Sequence, residues 1–153
     1  MVHLFAGFPR NLTALEALEA ALGARADRAI ARDRVRPGAG RAAFERIYAE
    51  KSGAVLNYLR RLDPAVAAWI GEHAYARVLS RPGLTPKERE LLAVAALIAT
   101  KQEKQLLSHV LGALRCGADR AEVRSAAAEG MRALAAVDRP RMRRALLSAL
   151  ERT

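Results

Sequence analysis

Cysteine is nearly absent from this chain: of 153 residues only Cys116 carries a thiol. One thiol can build neither an intramolecular disulfide nor a cysteine-based zinc cage. It suits a reducing compartment, so a cytoplasmic setting is the expectation. Aromatic residues amount to 5% and β-branched residues are few, which argues against a sheet. No apolar run approaches the ~20 residues of a membrane span; Leu91 to Thr100 is apolar but too short. The opening Met1-Val2-His3-Leu4-Phe5 lacks the basic stretch and long apolar run of a secretory signal. There is no glycine-rich phosphate loop, since Arg36-Pro37-Gly38-Ala39-Gly40 has neither the lysine nor the preceding strand that such a loop needs. His3 and His73 stand at no ligand spacing from a cysteine or carboxylate, so neither a metal nor another cofactor is expected.

What remains is rich in alanine and arginine. Hydrophobic residues make up 52% of the chain, enough for one core in a domain of this length. The formal net charge is +10, which permits a nucleic-acid partner. The arginines are nevertheless spread from Arg10 to Arg152 among acidic residues, and only Arg139-Pro140-Arg141-Met142-Arg143-Arg144 is a dense basic run. A non-enzymatic, nucleic-acid-binding helical protein is therefore kept as an alternative and not as the leading reading.

Helix punctuation organises the chain into about eight helices and no strand. Asp63-Pro64 reads as an N-cap with proline at the first helical position, opening a helix to about Leu79. Thr85-Pro86-Lys87-Glu88 is a capping box opening a helix from Pro86 to about Thr100. A second helix runs from about Glu103 to Arg115 and stops at Gly117. Asp119-Arg120-Ala121-Glu122 opens a helix to about Val137, and Asp138 is placed to cap a basic helix spanning 138–153. Upstream, Thr13-Ala14-Leu15-Glu16 looks like a further capping box, and pieces are expected at 24–34, 42–51 and 54–62. The expectation is one domain over 1–153, with a helical arm at 4–35, a linker at 36–40 and a core at 41–137.

The short joint after Thr100 makes Pro86–Thr100 and Glu103–Arg115 an antiparallel hairpin. Glu90 lies one turn into its first helix and shares a face with Val94 and Leu97. Gln102, Gln105, His109, Gly112 and Cys116 share a face of the second. A carboxylate and an imidazole can thus meet across the hairpin, the usual preparation of a proton-transfer histidine. Glu90 has other candidate partners in Arg89 and Arg115.

The segments Tyr75 to Thr85, Arg89-Glu90-Leu91-Leu92, Gln105 to His109, Gly112-Ala113-Leu114 and Gly117-Ala118, taken in order, resemble the core of the carboxymuconolactone decarboxylase and alkylhydroperoxidase D family over about residues 72–130. The resemblance implies an all-helical bundle around a central hairpin, a homo-oligomer (trimer or hexamer) and a small-molecule substrate. In the peroxidase branch the motif is a glutamate followed by Cys-x-x-Cys-x-x-x-His. Glu90 and His109 match its acid and histidine, while Gln102 and Gln105 occupy the cysteine positions and cannot form a disulfide. The resemblance therefore favours a decarboxylase-like lyase in which Glu90 orients His109 as proton donor. Tyr75, Gln102, Gln105 and Cys116 are its pocket candidates, and Arg77, Arg81 or Arg115 would grip a substrate carboxylate. A single-thiol peroxidase using Cys116 is the alternative. Leu4-Phe5-Ala6-Gly7-Phe8-Pro9-Arg10 looks like a segment that family members carry after the histidine helix. It suggests a permuted, or duplicated and trimmed, order in which residues 4–22 pack where a C-terminal helix pair would sit.

Overall fold

The structure is a computed structural model that describes residues 1, 3–23 and 35–152. The helix expected at 24–34 lies outside the described residues. All regular structure among the described residues is helical.

The elements are α1 (His3–Leu22), α2 (Ala39–Tyr48), α3 (Ser52–Leu62), α4 (Pro64–Trp69), α5 (Pro86–Ala99), α6 (Glu103–Arg115), α7 (Arg120–Arg132) and α8 (Arg139–Glu151). A 3₁₀ turn, Ala49–Lys51, joins α2 to α3, and a π-helical stretch, Ile70–Leu79, continues α4. The helix expected from Asp63 to Leu79 is thus α-helical only in its first part. Beyond Trp69 the chain widens to i→i+5 bonding, as in the Ser80 amide donating to the Tyr75 carbonyl at 3.0 Å.

The caps read from the sequence explain most of the boundaries. Asp63 accepts from the Ala65 and Val66 amides. Thr85–Glu88 and Asp119–Glu122 form complete capping boxes. Gly117, at φ 92°, ends α6 in the left-handed conformation that glycine adopts without strain. Two expected caps are not made. Thr13 is interior to α1: Pro9 already lies within that helix, and the Thr13 hydroxyl donates back to the Pro9 carbonyl at 3.3 Å. Asp138 makes no side-chain cap, because its carboxylate takes the Lys101 ammonium at 3.1 Å. Arg132 ends α7 five residues before Val137. The chain then turns so that buried Leu134 joins the core and its carbonyl accepts from Arg139. Ala39 and Gly40 belong to α2 and not to an open loop.

The central hairpin is α5 against α6, with α7 on the other side of α5 and α8 beyond α6. Its interior is Val94, Leu97, Ile98, Leu106 and Val110, closed by Val123, Ala127, Met142, Leu146 and Leu150. Met142, in the middle of the basic run, is fully buried, so α8 is a core helix with arginines on its outer face. There Arg141 is paired with Glu103. A second cluster, Ile47, Tyr75 and Leu79, with Phe44, Tyr48 and Ile70 against it, holds α2 to the π stretch. Their approach is close because residue 40 is glycine: a Cβ there would stand 2.7 Å from the Ala76 Cβ and 2.8 Å from its backbone.

The N-terminal segment divides at Gly7 (φ 77°, ψ 165°), which kinks α1. Before it, Phe5 packs on the main core. After it, Phe8 is 66% exposed and no residue of α1 is buried.

Candidate active site

Glu90 and His109 meet at the seam between the two clusters. The His109 Nδ1 and Glu90 Oε2 atoms are 2.8 Å apart, and both residues are buried, Glu90 almost completely. α5 supplies the acid one turn past its capping box, and α6 supplies the imidazole from the facing register. Gly112 makes the room: a Cβ there would lie 2.5 Å from Glu90 Oε2 and 3.1 Å from Ile47 Cγ2. With Nδ1 donating to the carboxylate, Nε2 is the ring nitrogen left to meet a ligand. The two other partners considered for Glu90 are engaged elsewhere. Arg89 donates to the carbonyls of Arg81 and Pro82. Arg115 donates to the Ile47 carbonyl at 2.5 Å and pairs with Glu50 at 3.5 Å.

The two members of the pair line different cavities. His109 lines one of about 630 Å³, together with Phe5, Tyr48, Trp69, His73, Tyr75 and Arg77. The Phe5 ring meets the imidazole edge-on at 5.4 Å between centroids. Tyr75 is buried and its hydroxyl donates to that of Tyr48 at 3.3 Å. Burial, above all, pushes the Tyr75 phenol far above its ordinary range and raises that of Tyr48 as well, so both stay neutral. At the rim the Nε2 atoms of His3 and His73 are 3.0 Å apart, so at least one ring is a neutral acceptor. Burial, the terminal amine and His73 together lower the His3 pKa. No group of three metal-ligating side chains occurs among the described residues.

Glu90 lines a second cavity of about 620 Å³ with Cys116, Ile47, Arg36, Arg46 and Arg81. Cys116 is half-buried at the end of α6 and not a sealed core residue. Burial and the nearby Glu90 carboxylate raise its thiol pKa, against a smaller lowering by Arg46. That is the reverse of what an activated thiol needs.

The structure therefore brings together Glu90, His109 and Tyr75, and places Cys116 on the far side of Glu90. It does not bring Gln102 and Gln105 to either cavity. Both are exposed at the start of α6, where the Gln102 amide donates to the Thr100 carbonyl at 3.1 Å. Of the three arginines considered for a carboxylate grip, Arg77 lines the His109 cavity, Arg81 lines the other, and Arg115 is engaged on α2. Phe5, Tyr48, Trp69 and Arg46 were not singled out for a site; an aromatic or arginine distant in sequence carries no local mark of the cavity it will line.

Residues 64–151 match the model of the carboxymuconolactone decarboxylase family. The chain is also similar to a protein of Schizosaccharomyces pombe named peroxisomal protein 2, with 33% identity over 88 residues; the match covers 57% of this chain and 41% of that protein. The family match begins at α4, so it includes Tyr75, Glu90, His109 and Cys116 but not the residues that α1 and α2 add to the cavities.

Proposed function

The chain belongs to the carboxymuconolactone decarboxylase family, and we propose that it is a lyase acting on a small carboxylated substrate, with His109 as proton donor and Glu90 as the residue that positions it. The observation that carries this reading is the 2.8 Å contact between a buried carboxylate and an imidazole at the wall of a cavity. The substrate carboxylate leaves as carbon dioxide, and its bonding electron pair passes into the adjoining unsaturated lactone as an enolate. His109 protonates that carbanion equivalent through Nε2, and Glu90 stabilises the imidazolium before the transfer. Arg77, the one arginine or lysine lining the His109 cavity among the described residues, is the residue to hold a second substrate carboxylate.

The aromatic lining suits a planar, unsaturated ligand body. The peroxidase alternative has less to support it: the chain has one thiol, and its pKa is raised. A nucleic-acid role is also less favoured, because Arg139 and Arg141 of the basic run are tied to Leu134 and Glu103.

Release of carbon dioxide from carboxylated muconolactones is the direct assay. Turnover should fall at least about 100-fold in His109→Gln, the usual scale of general-acid catalysis. Turnover that is equal in the variant would remove His109 from the chemistry.

A further inference from the structure

The cavity on the far side of Glu90 is lined differently from the one that receives His109. Arg36, Arg46 and Arg81 line it, and Ile47, Leu79 and Leu84 are among its apolar walls. The guanidinium groups of Arg36 and Arg46 have no hydrogen-bond or ion-pair partner among the described residues. Arg89 is spent on the turn that carries Arg81, since its guanidinium donates to the carbonyls of Arg81 and Pro82. Glu90 is the one carboxylate lining the cavity among the described residues, and it is already bonded to His109.

We propose that this second cavity binds a small organic anion, a carboxylate or phosphate carried on a compact apolar body. Its orientation follows from the charges. A negative headgroup placed beside Glu90 would be repelled, whereas Arg36 and Arg46 are exposed at the outside of the cavity. The headgroup therefore lies outward on those arginines, and the apolar body lies inward against Ile47 and Leu79 toward Cys116. Leu79 is a wall of both cavities, but Arg36, Arg46 and Cys116 line only this one, and a test read at Cys116 does not depend on turnover, so the proposal stands or falls independently of the lyase reading.

Cys116 provides the readout, because it is the chain's one cysteine and lines this cavity. Its rate of reaction with a neutral thiol reagent, 4,4′-dithiodipyridine, would be followed in the presence of benzoate, phenyl phosphate or benzamide. The expected result is saturable protection by benzoate, phenyl phosphate or both at millimolar concentration, and none by the isosteric neutral amide. The stronger of the two anions identifies the headgroup. Arg46→Gln and Arg36→Gln each replace an exposed side chain, and far-UV circular dichroism would verify their fold. Each should raise the concentration needed for half-protection by about threefold, the scale of one exposed charge pair. Protection by benzamide equal to that by benzoate would overturn the proposal, as would no protection by either anion. Inorganic phosphate protecting as well as phenyl phosphate would contradict the apolar half of the site.

Discussion

Gly112 is where the candidate site is most sensitive to a single atom. A methyl group there would stand 2.5 Å from Glu90 Oε2, and the carboxylate is too deeply buried to swing aside freely. Gly112→Ala should cost about 1–3 kcal/mol, the range for overpacking a filled interior. It should also separate Glu90 from His109, so turnover falls with stability; denaturant unfolding and the decarboxylation assay would show both. At Cys116 the prediction concerns pH. Burial and Glu90 raise its thiol pKa, so at neutral pH the thiolate fraction is smaller than for free cysteine. Alkylation by iodoacetamide should be slow at pH 7 and rise into a higher pH range than for free cysteine. Thiolate-like reactivity at pH 7 would revive the single-thiol peroxidase. Glu90 and His109 were legible as a facing pair because the Thr85 capping box fixes the register of α5 and the short joint after Thr100 makes α5 and α6 an antiparallel hairpin. Gln102 and Gln105 were misleading as pocket candidates, because a shared helix face says nothing of which end of that face is covered.

At the scale of elements, the caps with reciprocal bonds, Thr85–Glu88 and Asp119–Glu122, were readable because both partners lie within one turn. Thr13 and Asp138 were not, because each side chain had a competing partner: the Pro9 carbonyl for one and Lys101 for the other. The π stretch has no sequence signature of its own, since its composition suits an α-helix equally well. What the sequence does encode there is closeness. Gly40 allows α2 to touch the backbone of Ala76 on the π stretch, and this contact delivers Tyr48 to Tyr75. Gly40→Ala should cost at least about 2 kcal/mol, because the obstruction is backbone and cannot rotate away. Gly53, inside α3, has nothing within 4 Å of its virtual Cβ. Gly53→Ala should stabilise by about 0.5–1 kcal/mol through helix propensity. Thermal unfolding of the two variants would separate packing from propensity.

Over the whole molecule, acid should loosen the bundle in a predictable direction. Hydrogen bonds from Thr85 lower the Glu88 pKa, and Lys87 with the Asp119 amide lowers that of Glu122. The Lys87–Glu122 pair, at 2.7 Å, joins α5 to α7. A carboxyl whose folded pKa is lowered contributes stability that is present above its unfolded pKa, near 4.5, and lost as pH falls through the folded value. Denaturant midpoints should therefore drop between pH 5 and pH 3, and Glu122→Gln should flatten that dependence. The all-helical class was legible from composition and periodicity, and the family resemblance from the residues of the hairpin. The cavities were not, because α1 and α2 complete them from far away in the sequence: Ile47 of α2 lines one with Cys116, and Phe5 of α1 lines the other with His109. These upstream elements also lie outside the matched span of 64–151.

The coupling of Glu90 to His109 is the centre of this account, and a double-mutant cycle on carbon dioxide release tests it most directly. If Glu90 acts through His109, Glu90→Gln should cost about 10-fold or more in turnover, His109→Gln at least about 100-fold, and the double variant no more than His109→Gln alone. Losses that multiply would mean that Glu90 does not act through His109, and full turnover in Glu90→Gln would mean that the buried acid only holds the hairpin together.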